Sequence, residues 1–181
     1  MLINAKSLRN KTILQKIPNE KPGYYKWWAT EEDTILIFDR LGFDFLAYKE
    51  DIETSNGLYC IYVGVAIKES IRNRLDWHVN DKHNESAVKS GYLSTLRKSI
   101  ASIIAGNQYD KEATNLFIDK LMVEYFDLDL PIKSEEAKQE IHRIEKDLLI
   151  ASLRVLNIQE NYHNKATNIK KKLKQLRKQA R

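Results

Sequence analysis

The chain has 181 residues, of which 43% are hydrophobic and 30% charged, a composition typical of one folded globular domain with little room for a second. No apolar run reaches the roughly eighteen residues needed to span a membrane, and residues 1–17 lack the apolar stretch of a secretion signal. The single cysteine, Cys60, excludes an internal disulfide and a cysteine-built zinc site, so we expect a protein of the reducing cytoplasm.

The net charge of +5 is concentrated near the C-terminus. Residues 161–181 hold eight Lys or Arg and no Asp or Glu, which leaves 22 basic against 25 acidic residues elsewhere. A segment this basic suits a phosphate backbone, because neutralised phosphates release condensed counterions. A solvated helix end that binds nothing specific has the same composition. Charge alone therefore leaves both interpretations open.

The first half of the chain contains the signals of two strands and two helices. A Pro-Gly turn precedes four aromatic residues in five positions, which is typical of a strand. Thr30, with Asp33 three residues on, has the pattern of a helix start. A second strand follows an Asn-Gly turn, is apolar on both faces, and is expected to end at Gly64. These signals predict strands over residues 22–28 and 58–63 and helices over residues 30–41 and 69–79.

The second half is predicted to be mainly helical. Ser94 and Ser134 can cap helix N-termini, while Gly106 and Pro131 interrupt the periodic segments. The apolar spacing predicts helices over residues 95–105, 111–121 and 135–156, a strand over residues 122–126, and a further helix in the basic segment. A few strands with helices between them predict an α/β or α+β layered domain.

Glu145 is the unusual residue of the predicted helix over residues 135–156. With about 100° between successive residues, the apolar side chains fill one arc, and Glu145 lies inside it, one turn from Ile141 and one turn from Leu149. A carboxylate on a core-facing side is costly unless it is paired, hydrogen-bonded or bound to a cation. A carboxylate at the edge of the apolar stripe that reaches solvent or an arginine remains the alternative.

Arg74 and His78 lie four residues apart and share one face of the predicted helix over residues 69–79. An arginine can hold phosphate oxygens with a planar fork of donors. A histidine one turn away can orient or deprotonate a neighbouring hydroxyl. Two surface residues would have the same spacing, so this pair is weak evidence by itself.

The order of several short motifs carries more information than any one of them. The chain contains, in this order, Gly23-Tyr24-Tyr25, Tyr62-Val63-Gly64, Arg74 with His78, Glu145, and Asn157 twelve residues beyond Glu145. This arrangement resembles the GIY-YIG nuclease superfamily, and Ser94-Thr95-Leu96-Arg97 resembles a segment of one single-domain branch. The resemblance covers residues 22–160.

Chain length predicts a single domain over residues 1–181. The resemblance implies a catalytic core over residues 22–160, and the basic segment over residues 161–181 is expected to form a C-terminal helix. The implied fold is α/β (α+β), with a small central, mainly antiparallel sheet of about three strands flanked by helices. In this family the strands that carry the first and second motifs pair with each other.

The resemblance also implies a divalent-metal-dependent endonuclease that hydrolyses a DNA phosphodiester bond without a covalent intermediate. Glu145 would hold one cation, Mg²⁺ or Mn²⁺. Asn157 would brace the site by hydrogen bonding. One ion is expected because few other candidate ligands can be placed from the sequence.

Four further residues acquire roles through the same resemblance. Tyr25, assisted by His78, would accept a proton from the attacking water, and nearby metal and arginine charges would lower the pKa of Tyr25. Arg74 would stabilise the phosphate, and Tyr62 would position it.

The chain departs from the family pattern at several positions. Tyr24 and Val63 replace the central isoleucine of each motif, which a strand tolerates. Residues 29–56 form an insertion between the motifs. Val65 stands where many members have a lysine, so that charge must be absent or come from a neighbour such as Lys68.

Binding of double-stranded or branched DNA requires a basic surface, with mostly non-specific and salt-sensitive contacts. Candidates lie on the helices expected to flank the site and in the basic segment. They are Lys68, Arg72, Arg97, Lys98, Lys170, Lys171, Lys172, Lys174 and Arg177.

Two alternatives to an active nuclease remain. A catalytically inactive nucleic-acid-binding protein on the same fold is favoured slightly by Val65. An unrelated α/β domain is the second alternative, and it requires Tyr25, Arg74 and Glu145 to lie far apart. Other enzyme classes have little support, since neither a phosphate-cradling glycine loop nor a His-Glu-x-x-His helix occurs.

Overall fold

The computed structural model describes residues 2–80 and 83–181. One sheet has the strand order β1-β5-β2-β4-β3, and all neighbouring strands are antiparallel. The strands are β1 (Ile3–Asn4), β2 (Gly23–Ala29), β3 (Thr54–Ser55), β4 (Leu58–Ala66) and β5 (Met122–Asp127). The predicted mixed fold with an antiparallel sheet is confirmed, but the sheet has five strands because two-residue strands border it on both sides.

Eight α-helices are assigned within the described ranges. They are α1 (Lys11–Leu14), α2 (Glu31–Leu41), α3 (Ile71–Asn80), α4 (Glu85–Ser90), α5 (Thr95–Ile100), α6 (Lys111–Ile118), α7 (Glu135–Ala151) and α8 (Ala166–Gln179). A π-helical segment, Ala101–Ala105, directly continues α5. None of the described helices is both long and apolar enough to cross a membrane.

Two glycines allow β2 to pack closely between β4 and β5. A Cβ atom on Gly23 would lie 2.1 Å from the carbonyl oxygen of Phe126 on β5. Gly64 pairs with Tyr25 across β2 and β4, and a Cβ atom there would lie 2.3 Å from the Tyr25 hydroxyl oxygen. The expectation that Gly64 ends its strand was wrong, because the residue belongs to the ladder and makes room for the Tyr25 ring.

The two faces of the sheet are covered by different helices. Helix α7 packs on one face, where Leu149 joins a buried cluster with Trp28, Cys60 and Val63. The larger core lies on the other face and includes Tyr25 and side chains of α2, α3, α5, α6 and α8. This arrangement leaves α3 and α7 beside the strands that carry the two tyrosine motifs.

Helix α7 is shorter than predicted. It ends at Ala151, and the chain continues in an extended conformation at Ser152. The backbone N–H of Leu153 then donates to Asp51 (2.8 Å), and that of Leu156 donates to Ile61 (3.0 Å). The apolar spacing up to residue 156 therefore reflects burial beside the sheet and not five further residues of helix.

Candidate active site

Tyr25 and His78 form the centre of the site. Strand β2 and helix α3 bring the Tyr25 hydroxyl oxygen to 2.6 Å from His78 Nε2, and both side chains are about 1% exposed. The other ring nitrogen, Nδ1, lies 2.9 Å from Ser94 Oγ. Ser94 also caps α5 by accepting a hydrogen bond from the Arg97 backbone N–H (3.2 Å). Three separate elements thus hold one buried chain of hydrogen bonds.

His78 is neutral in this environment. Burial lowers the pKa of His78 well below its usual value, and the charges of Arg74 and Arg97 lower it further. Arg97 also donates to the His78 backbone carbonyl oxygen (2.8 Å), which fixes the end of α3 that carries the ring. A neutral imidazole has one donor and one acceptor nitrogen. One of the two hydroxyls, of Tyr25 or of Ser94, therefore accepts a hydrogen bond from the ring, and the other donates one to it.

Arg74 lies at the border between this buried pair and solvent. Its Nη1 is 2.9 Å from Glu69 Oε1, and its guanidinium lies 4.6 Å from the centre of the Trp77 ring. The guanidinium charge also interacts electrostatically with the Tyr25 hydroxyl. Its side chain is 31% exposed and lines an open cleft of about 690 Å³. The arginine therefore connects the tyrosine with a space that a substrate can enter.

Burial controls the protonation of both tyrosines. It raises the pKa of Tyr25 well above its usual range, while Arg74 acts in the opposite direction. Burial likewise raises the pKa of Tyr62 to about 12. Arg74 lowers the Tyr25 pKa as expected, but its contribution is smaller than that of desolvation, so a lowering that includes the metal ion stays a prediction.

Glu145 provides the carboxylate at this site. Its side chain, on α7, is 13% exposed, and it interacts electrostatically with Arg74 and Tyr62. Burial raises the pKa of Glu145 to about 7, and the negative charge of the neighbouring Glu160 adds to the shift. The charge of Arg74 offsets only part of this rise, so further positive charge would stabilise the ionised carboxylate.

A divalent cation would supply that charge. One donor atom each of His142, Glu145 and Glu160 lies within 4.8 Å of the other two. His142 Nδ1 is 3.8 Å from Glu145 Oε2. The two carboxylates are oxygen donors that suit Mg²⁺ or Mn²⁺, and the imidazole is a donor for ions that accept nitrogen. The residues present therefore fit a divalent metal ion.

Asn157 contacts the backbone of the strand that carries Tyr62 and Gly64. Its Nδ2 donates to the Val63 carbonyl oxygen (2.8 Å), and its Oδ1 accepts from the Val63 N–H (2.9 Å). The side chain is 6% exposed. It thus holds β4 at the point between the tyrosine and the glycine of the second motif.

The four basic residues predicted to contact nucleic acid near the site differ in their surroundings. Arg97 is fully buried, so the expectation that it contacts nucleic acid was wrong. Arg72 donates to the carbonyl oxygens of Ile17 and Gln15 (both 2.7 Å), which ties α3 to the N-terminal segment. Lys98 Nζ donates to the Gly91 carbonyl oxygen. Lys68 is exposed and available to a ligand.

The basic residues of the last helix are also unequal. Lys171 and Lys174 are exposed, Lys172 is half-buried, and Lys170 donates to the Asn161 carbonyl oxygen (2.8 Å). Arg177 is half-buried and interacts electrostatically with Tyr62. The basic segment therefore reaches the site through one of its residues.

Glu160 is the site residue that sequence reasoning missed. It lies in an irregular segment between α7 and α8 and has a positive φ of 52°. No periodicity places such a residue, since its position depends on how the chain turns after α7. The contact of Ser94 with His78 was also missed, because a helix cap explains a serine there equally well.

Comparison with known proteins agrees with this geometry. The family model described as the GIY-YIG catalytic domain matches residues 23–179, which includes all the elements from β2 to α8. A search of curated proteins found no match. A search of solved structures also found none. Members of this family are endonucleases that act on nucleic acids and generally depend on divalent metal ions. Because the match extends over most of the length of the chain, the chain belongs to the GIY-YIG family.

Proposed function

We propose that this protein is a divalent-metal-dependent endonuclease that hydrolyses a DNA phosphodiester bond. The observation that carries the proposal is the convergence of Tyr25, Tyr62, Arg74, His78 and Glu145, which come from β2, β4, α3 and α7. A fold has no structural need to gather two buried tyrosines and a carboxylate around an arginine that lines an open cleft. Perturbed ionisable groups that cluster in this way are characteristic of active sites.

Glu145 and Glu160 would hold the cation, with His142 as a third ligand when the ion accepts nitrogen. Bound there, a divalent cation stabilises negative charge on the phosphate and on the leaving oxygen. Glu145 is the ligand most shielded from water among the three, since Glu160 and His142 are exposed. Its loss is therefore expected to be the most damaging.

Tyr25 would accept the proton of the attacking water in its phenolate form, after its own hydroxyl proton has passed to solvent. Ser94 Oγ already accepts one hydrogen bond, so its own proton can be donated to His78 Nδ1. His78 Nε2 then carries the ring proton and donates it in a hydrogen bond to the Tyr25 oxygen. The positive charge of Arg74 also lowers the Tyr25 pKa. The hydrogen bond from His78 and the charge of Arg74 both favour the phenolate form of Tyr25 and oppose the effect of burial.

Arg74 would bind the phosphate from the cleft side. Its guanidinium can donate to phosphate oxygens while Trp77 and Glu69 hold it in place. The ring centre of Tyr62 lies 6.2 Å from that of His78. Because burial raises its pKa to about 12, the Tyr62 hydroxyl stays protonated and would donate to a phosphate oxygen. These two residues position and neutralise the group that is cut.

Cleavage assays test the proposal directly. Labelled duplex, nicked, flapped, branched and single-stranded DNA would be incubated with Mg²⁺, Mn²⁺ or a chelator. The wild type would be compared with Glu145→Ala and with Glu136→Ala, a control on the exposed side of α7. We expect metal-dependent cutting by the wild type and the control, and its loss in Glu145→Ala.

Two other outcomes would count against the proposal. Salt-sensitive binding without cutting of any substrate would favour a nucleic-acid-binding protein that has lost catalysis. Equal cutting by Glu145→Ala and the wild type would exclude the assigned carboxylate from the reaction.

A further inference from the structure

The basic C-terminal helix is fixed to the body of the protein. Ala166, Ile169 and Leu173 are buried on one side of α8. At its far end, Gln108 Nε2 donates to the Arg177 carbonyl oxygen (2.6 Å), and the Gln108 N–H donates to the Ala180 carbonyl oxygen (2.9 Å). Side chains on this helix are therefore held at defined positions relative to the site.

Arg177 differs from its neighbours Lys174 and Lys178 on α8. Lys174 and Lys178 are exposed, whereas Arg177 is half-buried and close enough to Tyr62 to interact with its hydroxyl. Within residues 2–80 and 83–181, its guanidinium has no ion-pair or hydrogen-bond partner. Burial lowers the pKa of this guanidinium. A partly desolvated cation without a counter-charge is unfavourable by itself and is stabilised when an anion binds.

Arg177 also lines a cleft that adjoins the active site. The cleft has a volume of about 280 Å³. On one side, Thr95 directly follows Ser94, which contacts His78. On another, residue 159 directly precedes Glu160, the second candidate metal ligand. The residues that line it are Thr95, Ile158, Gln159, Lys174 and Arg177, two cations with no carboxylate among the described residues.

We propose that Lys174 and Arg177 form a second phosphate subsite, which holds a backbone phosphate next to the one that is cut. The planar guanidinium can donate two parallel hydrogen bonds to phosphate oxygens, and Lys174, one turn earlier on α8, adds a second positive charge. The Thr95 hydroxyl and the Gln159 amide supply neutral donors at the same cleft. This inference rests on the proposed function for the identity of the strand that is held.

Binding measurements test the subsite separately from catalysis. The affinity for a fluorescein-labelled DNA duplex would be measured by fluorescence anisotropy in chelator at several salt concentrations. Arg177→Met keeps the apolar stem and removes the charge, Arg177→Lys keeps a charge, and Lys178→Met is an exposed control on the same helix. Thermal melting of each variant checks that α8 remains folded.

We expect Arg177→Met to weaken binding about tenfold and to reduce the slope of log Kd against log salt by about one. Arg177→Lys should recover part of this loss, and Lys178→Met should stay within about twofold of the wild type. In single-turnover cleavage at saturating enzyme, Arg177→Met should also be slower than Lys178→Met. Equal affinities and salt slopes for Arg177→Met and Lys178→Met would overturn the subsite.

The two proposals fail in different ways. If the wild type cuts DNA and Arg177→Met leaves the affinity and the salt slope unchanged, the nuclease proposal stands and the subsite is rejected. A wild type that cuts nothing but binds DNA through Arg177 would reject the nuclease and keep the subsite.

Discussion

Replacing Asn157 by alanine tests whether one side chain holds the strand of the second tyrosine motif. The amide bonds both polar groups of the Val63 backbone, at 2.9 Å and 2.8 Å. Val63 is fully buried, so water does not readily replace these bonds. Alanine would leave the Val63 N–H and C=O groups without partners.

The expected loss of stability follows from the number of groups left without partners. Each buried donor or acceptor that loses its partner costs about 1–3 kcal/mol. Two such groups give a loss of about 3 kcal/mol once partial relaxation is allowed. For a protein of this size, that loss corresponds to a fall of about 6–12 °C in Tm. Asn157→Asp should also be destabilised, because its carboxylate accepts from the N–H but faces the carbonyl oxygen.

Urea denaturation followed by circular dichroism would measure the free energy of unfolding of each variant. Asn164→Ala is the matched control, since Asn164 is exposed, and it should change stability by less than about 0.5 kcal/mol. If Asn157→Ala were as stable as this control, the two hydrogen bonds would not hold β4 in solution. The reasoning about the brace would then be refuted.

Three further predictions concern the site and its strands. Gly64→Ala would place a Cβ atom 2.3 Å from the Tyr25 hydroxyl oxygen, so we expect displacement of the ring and a loss of cleavage rate of about 100-fold; unchanged kcat would contradict the close packing. Ring ¹⁵N chemical shifts should show the His78 proton on Nε2 in the wild type, and a proton on Nδ1 would instead reverse the roles of the two nitrogens. Ser94→Ala should lower the cleavage rate about tenfold, because it removes the hydrogen-bond donor to Nδ1. Burial raises the pKa of the Cys60 thiol to about 12, so at pH 8 a thiol reagent should label it only at the rate of unfolding; fast labelling of folded protein would show that the thiol is accessible.

Local signals predicted the helix starts and the central strands. Thr30 and Ser134 each accept a hydrogen bond from a backbone N–H three residues on, as their positions before periodic segments indicated. The motif glycines Gly23 and Gly64 identified the paired strands because only glycine fits their contacts. These features depend on a few neighbouring residues, and a single sequence is sufficient to find them.

Features that depend on distant contacts could not be predicted in this way. The apolar side chains of Val155 and Leu156 continue the helical spacing of α7, but these two residues form a turn. Hydrogen bonds to residues far away in sequence hold the segment outside the helix. Arginine side chains usually lie at the surface, yet Arg97 is buried and donates to the His78 backbone carbonyl oxygen. Glu160 reaches Glu145 only through the turn after α7.

The segment after α7 also covers part of the edge of strand β4 that strand β3 leaves unpaired. Strand β3 pairs with β4 only at Leu58 and Tyr59, so the ladder does not extend along the rest of that border. The N–H of Leu156 and the amide of Asn157 occupy the backbone groups of Ile61 and Val63. An exposed strand edge at the side of a sheet can pair with strands of other molecules and so promote aggregation. Detachment of this segment would therefore be the event that lets copies of the chain associate edge to edge, and variants that weaken it should aggregate before they unfold completely.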